Sequence, residues 1–416
     1  MKLFVGIDVS SEKLDTCFLT DEQDILLETT YANDTLGALD LKEKVLSFHQ
    51  DYQFTQIVIG MESTSMYSFH PAMYFQMDED LQAIRTITTI EDPYRIKQNT
   101  KVFDEDKTDT VDAFMIADYL RILRFTNSPI REEQYMALQR LTRSRYHTVK
   151  QLVETKQHFL ENLSYKCNTL KKELREADLS TSVFSATIMN LLTEDMTLDD
   201  MANLPLEDFA AYLQKKGKGR FKDPEKLVKT IKKAIRSSYR LGQVMSDSID
   251  IVLGILVREI RGLEKAIKDY DKAIEDLVQV IPEYKCLTSI KGIGPVYAAG
   301  LLAEIGQIER FKDQTKLAKY AGLTWKKSQS GNRESERTPL SKKGNRYFRY
   351  YLIEAANSVK NNLPEYKAFY NKKFKETPKH QHKRAIVLTA RKLVRLVDTL
   401  LRNHQLYTPP RSVIEK

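Results

Sequence analysis

Leu3-Phe4-Val5-Gly6-Ile7-Asp8 decides how the rest of the chain is read. Five apolar residues in succession, with one glycine among them, predict a strand buried on both faces. The run ends on a carboxylate. A second run of the same kind, Ile57-Val58-Ile59-Gly60-Met61, also ends on an acid, Glu62. Working outward, Leu3–Val9 reads as a first strand. Leu14–Leu27 reads as a hairpin pair turning through Thr20-Asp21-Glu22-Gln23-Asp24, and Leu36–Phe48 as a helix. Ile57–Met61 is then a strand, Met66–Met77 a helix, Ala83–Thr88 a strand and Asp109–Arg124 a helix. Strands alternating with helices over residues 1–128 predict an α/β layer with a partly parallel sheet. In such sheets sites gather beyond the C-terminal ends of the strands, where Asp8 and Glu62 fall.

Lys107-Thr108-Asp109-Thr110-Val111-Asp112-Ala113 supplies two more acids. Asp109 and Asp112, three residues apart on a helix, share one face. Acids at two strand ends with an acidic pair one helical turn apart suit a hard divalent cation, which takes oxygen ligands and completes its shell with substrate phosphates. Such a centre points to phosphoryl transfer on nucleic acid. Each acid has an ordinary alternative, because a strand-end carboxylate can be solvated and Asp109 can cap its helix. Asp104, Glu105, Asp106 and Asp118 compete for the same role.

The chain of 416 residues is long enough for two or three domains. It is 42% hydrophobic and 29% charged, the balance of a globular protein. The net charge, 65 − 57 = +8, permits nucleic acid without requiring it. Cys17, Cys167 and Cys286 are far apart in sequence and form no zinc-ligand spacing, and three separate thiols suit a reducing cytoplasm. The N-terminus runs straight into a strand without signal-peptide architecture, and no apolar run approaches the ~20 residues that span a bilayer.

From 129 to 281 the character changes. Ile249, Leu253, Leu256, Ile260, Leu263, Ile267, Tyr270, Ile274, Leu277 and Ile281 recur in steps of four and three, the seam of a coiled coil. A looser pattern runs from Leu138 to Leu170. Two long helices interrupted near 178–238 predict an antiparallel arm carrying an insertion, which includes the basic run Lys215-Lys216-Gly217-Lys218-Gly219-Arg220.

Residues 282–416 read as a mainly helical basic domain. Ile290-Lys291-Gly292-Ile293-Gly294-Pro295 before the apolar helix Val296–Ile305 resembles a helix-hairpin-helix element, whose backbone N–H groups can hold a phosphate. Then come Trp325-Lys326-Lys327-Ser328-Gln329-Ser330-Gly331-Asn332-Arg333 and Ser341-Lys342-Lys343-Gly344-Asn345-Arg346-Tyr347-Phe348-Arg349, a basic loop suited to a phosphate backbone. The last helix, with Lys383, Arg384, Arg391, Lys392, Arg395 and Arg402, is amphipathic and basic.

Taken in order, Gly6-Ile7-Asp8, Glu62-Ser63-Thr64, Asp109-x-x-Asp112, Gly292-Ile293-Gly294-Pro295, Ser330-Gly331 and Ser341-Lys342-Lys343-Gly344-Asn345-x-x-x-Arg349 resemble the DEDD transposases of bacterial insertion sequences, the family that includes the bridge-RNA-guided recombinases. The resemblance spans nearly the whole chain. It implies an RNase H-like (RuvC-like) domain, a coiled-coil arm and a C-terminal transposase domain. It implies Mg²⁺, with Mn²⁺ the other candidate, on Asp8, Glu62, Asp109 and Asp112. The family's nucleophilic serine precedes a glycine, which matches Ser330; Ser328 is its rival, and Trp325 stands in a stretch where members often have proline. The implied reaction is strand exchange on DNA through a covalent phosphoserine, in a dimer or tetramer whose sites combine the acids of one protomer with the serine of another. A structured RNA pairing with donor and target DNA is implied as guide, and Lys291, Gly292, Gly294, Lys326, Lys327, Arg333, Lys342, Lys343, Asn345, Arg346 and Arg349 as nucleic-acid contacts. The family setting is the bacterial cytoplasm, at the nucleoid. A metal-dependent nuclease or junction resolvase using activated water is the alternative enzyme, and a non-catalytic nucleic-acid scaffold the alternative outside enzymes.

Overall fold

The computed structural model describes residues 1–63, 66–91, 93, 96–97, 109–122, 133–325, 329–330, 333–334 and 340–409, with backbone alone at 109–110, 329–330 and 333–334. The chain forms two compact units, Met1–Glu133 and Gln134–Lys416.

The first unit is α/β. Strands β1 (Lys2–Val9), β2 (Lys13–Thr20) and β3 (Ile25–Ala32) are followed by helix α1 (Thr35–Tyr52), β4 (Gln56–Glu62), helices α2 (Phe69–Met77) and α3 (Glu79–Ala83), β5 (Ile87–Glu91) and helix α4 (Asp109–Arg121). The sheet order is β3-β2-β1-β4-β5. β1 pairs antiparallel with β2 and parallel with β4, which pairs parallel with β5. The mixed sheet is compatible with an RNase H-like domain. Alternation divides β1 between two cores. Leu3, Val5, Ile7 and Val9 pack with Leu41 and Val45 of α1. Phe4 packs on the other face with Ala113, Ile116, Ala117 and Leu120 of α4.

The strand expected over Ala83–Thr88 begins later. Asp78 accepts a hydrogen bond from the Leu81 N–H at 3.1 Å and so caps α3, which takes Ala83 into a helix. Arg85 then turns the chain at φ 57°, and β5 runs from Ile87 to Glu91.

The second unit is mainly helical. It contains α5 (Glu133–Lys166), α6 (Leu170–Glu176), α7 (Ala186–Asn190), α8 (Leu198–Asn203), α9 (Leu206–Lys216), α10 (Pro224–Ser237) and α11 (Gln243–Val278). There follow α12 (Tyr284–Thr288), α13 (Pro295–Ile305), α14 (Gln314–Tyr320), the two-residue strands β6 (Gln329–Ser330) and β7 (Arg333–Glu334), then α15 (Arg346–Asn362), α16 (Pro364–Lys375) and α17 (Gln381–Arg402). The ion pairs Arg145–Asp271, Lys156–Glu264 and Lys166–Asp250 place α5 and α11 antiparallel, since one numbering rises as the other falls. One end of the helix pair is built into a core with Phe159, Leu163, Phe209, Ile231, Leu253 and Ile260. The other end, through Tyr135, Leu138, Ile274 and Val278, shares a core with α12 to α17.

Candidate active site

In the first unit the geometry follows from register. Gly6 lies opposite Gly60 and Ile7 opposite Met61 in the parallel β1–β4 pair, so Asp8 and Glu62 stand side by side at the C-terminal ends of adjacent strands. Alternation from Phe4 and Gly6 puts Asp8 on the face that α4 covers. Gly60 shows the same for Glu62, because a Cβ there would meet the Leu120 side chain of α4. Gly6 is the seat of the helix: a Cβ on it would lie 2.3 Å from the Ala113 carbonyl oxygen and 2.3 Å from the Ala117 nitrogen. Only glycine lets the helix backbone approach so closely.

The direction of α4 is fixed at its far end. Gln23, in the β2–β3 turn, donates from Nε2 to Asp118 Oδ1 at 3.4 Å. That turn lies at the sheet's opposite end, so α4 begins on the side of Asp8 and Glu62. Asp112, half-buried, is one residue before Ala113. The helix starts at Asp109, whose side chain lies outside the described residues. Asp118 is paired with Arg121 at 2.8 Å and faces away from that rim. Asp104, Glu105 and Asp106 lie outside the described residues.

A fifth acid joins the rim. Glu91 is opposite Glu62 in the β4–β5 register and is buried. It accepts from Thr89 Oγ1 at 2.8 Å and Tyr119 OH at 3.5 Å. Ending that strand at Thr88 hides it from the sequence; the same apolar-run-then-acid signal is present at Ile90-Glu91. Among the described residues no three acidic, histidine or cysteine side chains stand close enough to hold a metal by themselves. The donor set at this rim is all carboxylate, the type a hard divalent cation takes.

In the second unit, Ser330 pairs with Arg333 across β6 and β7. Trp325 and Leu340 bridge antiparallel, and the Ser341 N–H donates to the Thr324 carbonyl at 2.7 Å, closing the base of the segment. Lys326, Lys327 and Ser328, and the side chains of Ser330 and Arg333, lie outside the described residues. Lys342, Lys343 and Arg346 are exposed beyond this base. Asn345 caps α15, accepting from the N–H groups of Tyr347 and Phe348 at 2.9 and 3.0 Å. Its Nδ2 donates to Glu304 Oε2 at 2.6 Å and Tyr320 OH at 2.8 Å. Arg349 donates from Nη1 to the Ala321 and Lys342 carbonyls at 2.9 and 3.1 Å, and burial pulls its guanidinium below its ordinary range. Both side chains therefore tie the start of α15 to the described residues that flank the segment, Tyr320, Ala321 and Lys342.

Glu304, which lies outside the candidate motifs of the sequence, is the hub of that unit. Fully buried on α13, it receives Arg143 in a two-bond fork at 2.8 and 2.9 Å and Gln139 at 3.1 Å. Its sequence signal is a lone acid in the otherwise apolar helix Val296–Ile305. Arg143 also stacks on Tyr347, 4.5 Å from its ring centre, and His147 Nε2 meets Tyr347 OH at 2.9 Å. In the glycine turn Gly292 takes φ 107° against Val359, Gly294 caps α13 and Lys291 is exposed. Near the last helix, Arg391, Lys392, Arg395 and Trp325 line an open cleft. Among the described residues no helix is long and apolar enough to cross a membrane.

Comparison with known proteins covers both units. A family model of IS110 DEDD transposases, described as Transposase, matches residues 5–167. A second, the Transposase IS116/IS110/IS902 family, matches 284–371. The chain is 23% identical over 417 residues to the insertion element IS116 uncharacterized 44.8 kDa protein of Streptomyces clavuligerus, covering 100% of this chain and 98% of that one. It is 26% identical over 310 residues to the insertion element IS900 uncharacterized 42 kDa protein of Mycobacterium paratuberculosis, 73% and 74% of the two chains. It is 30% identical over 108 residues to the transposase for insertion sequence element IS1111A of Coxiella burnetii, 26% and 29%. Domains of the DEDD type generally use divalent metal ions. The chain belongs to the IS110 family of DEDD transposases.

Proposed function

We propose that this transposase moves its insertion sequence by metal-dependent cleavage and exchange of DNA strands through a covalent phosphoserine, with target choice delegated to a structured bridge RNA. Residues 1–128 form the RuvC-like acidic domain, 129–281 a coiled-coil arm with its insertion, and 282–416 the domain of the serine loop. The observation that carries the reading is the β1–β4 register, which sets Asp8 beside Glu62 at the rim where α4 begins. Asp8, Glu62, Asp109 and Asp112 would hold Mg²⁺, which when bound neutralises charge on the scissile phosphate. Ser330 Oγ attacks phosphorus, exchanging a sugar–phosphate ester for a serine–phosphate ester and releasing a sugar hydroxyl; attack by another DNA end reverses the step. Lys291, Gly292 and Gly294, with Lys326, Lys327, Arg333, Lys342, Lys343 and Arg346, hold the backbone, and Asn345 and Arg349 keep the loop in shape. The homo-oligomer has a candidate surface in α11, whose outer face exposes Val244, Ile251, Val252 and Ile255.

The test is a DNA substrate nicked so that a covalent intermediate accumulates. Wild type and Ser328→Ala should form a protein–DNA adduct, and Ser330→Ala none. Cleavage by Ser330→Ala without an adduct would instead make the enzyme a nuclease that uses water.

A further inference from the structure

Residues 215–240, within the segment 178–238 and its margin, hold eleven Lys and Arg against two Asp and Glu, a net charge of 11 − 2 = +9. The other 390 residues, with 54 against 55, sum to −1. The protein's whole positive excess therefore sits in this one stretch. It comprises the last two residues of α9, the connection 217–223 and α10 with the three residues after it, the distal part of an α9–α10 hairpin. Leu227, Val228, Ile231, Ala234 and Ile235 face the core. Lys226, Lys229, Lys233 and Arg236 follow in steps of three, four and three along the exposed side, a stripe about 15 Å long. In the connecting loop, Lys218 and Gly219 take φ 51° and 72°, and Lys218, Arg220 and Lys222 are exposed.

These charges are only partly neutralised within the chain: at the margins of the stretch Lys216 pairs with Asp195 at 3.0 Å and Arg240 with Asp199 at 2.8 Å. Lys229 reaches Glu225 only at 3.7 Å on an exposed surface, Lys233 pairs with Glu173 at 2.7 Å, and Lys232 donates to the Leu204 carbonyl. Among the described residues Lys218, Arg220, Lys222, Lys226 and Arg236 have no acidic partner. Lys229, Lys232, Lys233 and Arg236 border a shallow concavity. Lysines act as point charges rather than base readers, and the stripe along α10 contains no aromatic residue on which an unpaired base could stack, the exposed Tyr239 lying beyond the end of the helix. A straight, sequence-blind cationic stripe fits a double helix, which presents about one phosphate charge per 1.7 Å.

We propose that the α9–α10 hairpin is a second, sequence-independent docking site for duplex DNA. It belongs to the core around Phe159, while α12 to α17 share the core around Leu138. Those two positions on α5 are 21 residues, or about 30 Å, apart. The hairpin thus engages DNA flanking the reacting strands and leaves the chemistry to other residues. Full-length protein and the triple variant Lys226→Gln/Lys229→Gln/Arg236→Gln would be titrated with a labelled 30-base-pair DNA of arbitrary sequence and with an RNA hairpin, from 50 to 200 mM salt. The variant should lower the salt slope for duplex DNA by about 3, so that wild type's advantage shrinks roughly 40-fold across that range. Lys226→Arg/Lys229→Arg, which keeps the charge, should restore wild-type slope. An unchanged slope on DNA, or a loss confined to the RNA hairpin, overturns the proposal.

Discussion

The two units position their candidate chemistry by opposite means. In the first, α4 is seated by the absence of a side chain: Gly6 admits the backbone of Ala113 and Ala117, and apolar contact holds the helix with its start on the side of the rim. In the second, the helix that follows the serine segment is seated by buried charge: Glu304 gathers Gln139, Arg143 and Asn345, joining α5, α13 and the cap of α15. The first seat is dry and steric, and an added methyl should break it. The second is polar, and removing one carboxylate strands several donors.

The largest expected effect tests the rim rather than either seat. Asp8→Asn keeps shape and removes charge, so strand cleavage and adduct formation should fall roughly 10³-fold or more while thermal unfolding stays put. Retained cleavage would remove Asp8 from the chemistry. Next comes the polar seat. Glu304→Ala leaves Arg143, Gln139 and Asn345 without their common acceptor and should cost about 4 kcal/mol in the second unit, measured by denaturant unfolding. A loss under 1 kcal/mol would show that water replaces the carboxylate. The steric seat follows. Gly6→Ala collides with backbone, which cannot swing aside as a side chain can, and should cost about 2 kcal/mol in the first unit. It should also reduce cleavage with Asp8 itself unaltered, because α4 carries Asp109 and Asp112.

The steric seat was far more legible in sequence than the polar one. Apolar runs such as Leu3–Ile7 and Ile57–Met61 are read by period and length, and an acid at the end of such a run is conspicuous because burying it without a partner is costly. The helix expected over Asp109–Arg124 is described from Asp109 to Arg121. Glu91 escaped because local capping by Asp78 drew Ala83 into a helix and displaced the strand by several residues, a decision made by one hydrogen bond. Glu304 escaped because its partners lie 161 and 41 positions away in the chain, and no local pattern encodes a network of that reach. The antiparallel helix pair was visible as heptads, but which face meets which residues was settled only by pairs such as Arg145 with Asp271.

The smallest effect, read at single thiols, distinguishes the two seats within one experiment. Cys17 lies opposite Gly6 in the sheet and packs beneath α4, whereas Cys286 is buried in the core that holds Glu304's helix. Burial, with a lesser push from Glu28, raises the Cys17 thiol to about 12, so at pH 8 the native protein carries almost no thiolate there. An opened chain has an ordinary thiol near 8.5, and alkylation at pH 8 should therefore proceed through opening. With about 2 kcal/mol lost, Gly6→Ala should quicken Cys17 labelling roughly 30-fold and leave Cys286 at its wild-type rate. Glu304→Ala should do the reverse. If either variant quickened both thiols equally, the two units would open as one cooperative body, and the contrast between a steric and a polar seat would have no thermodynamic meaning.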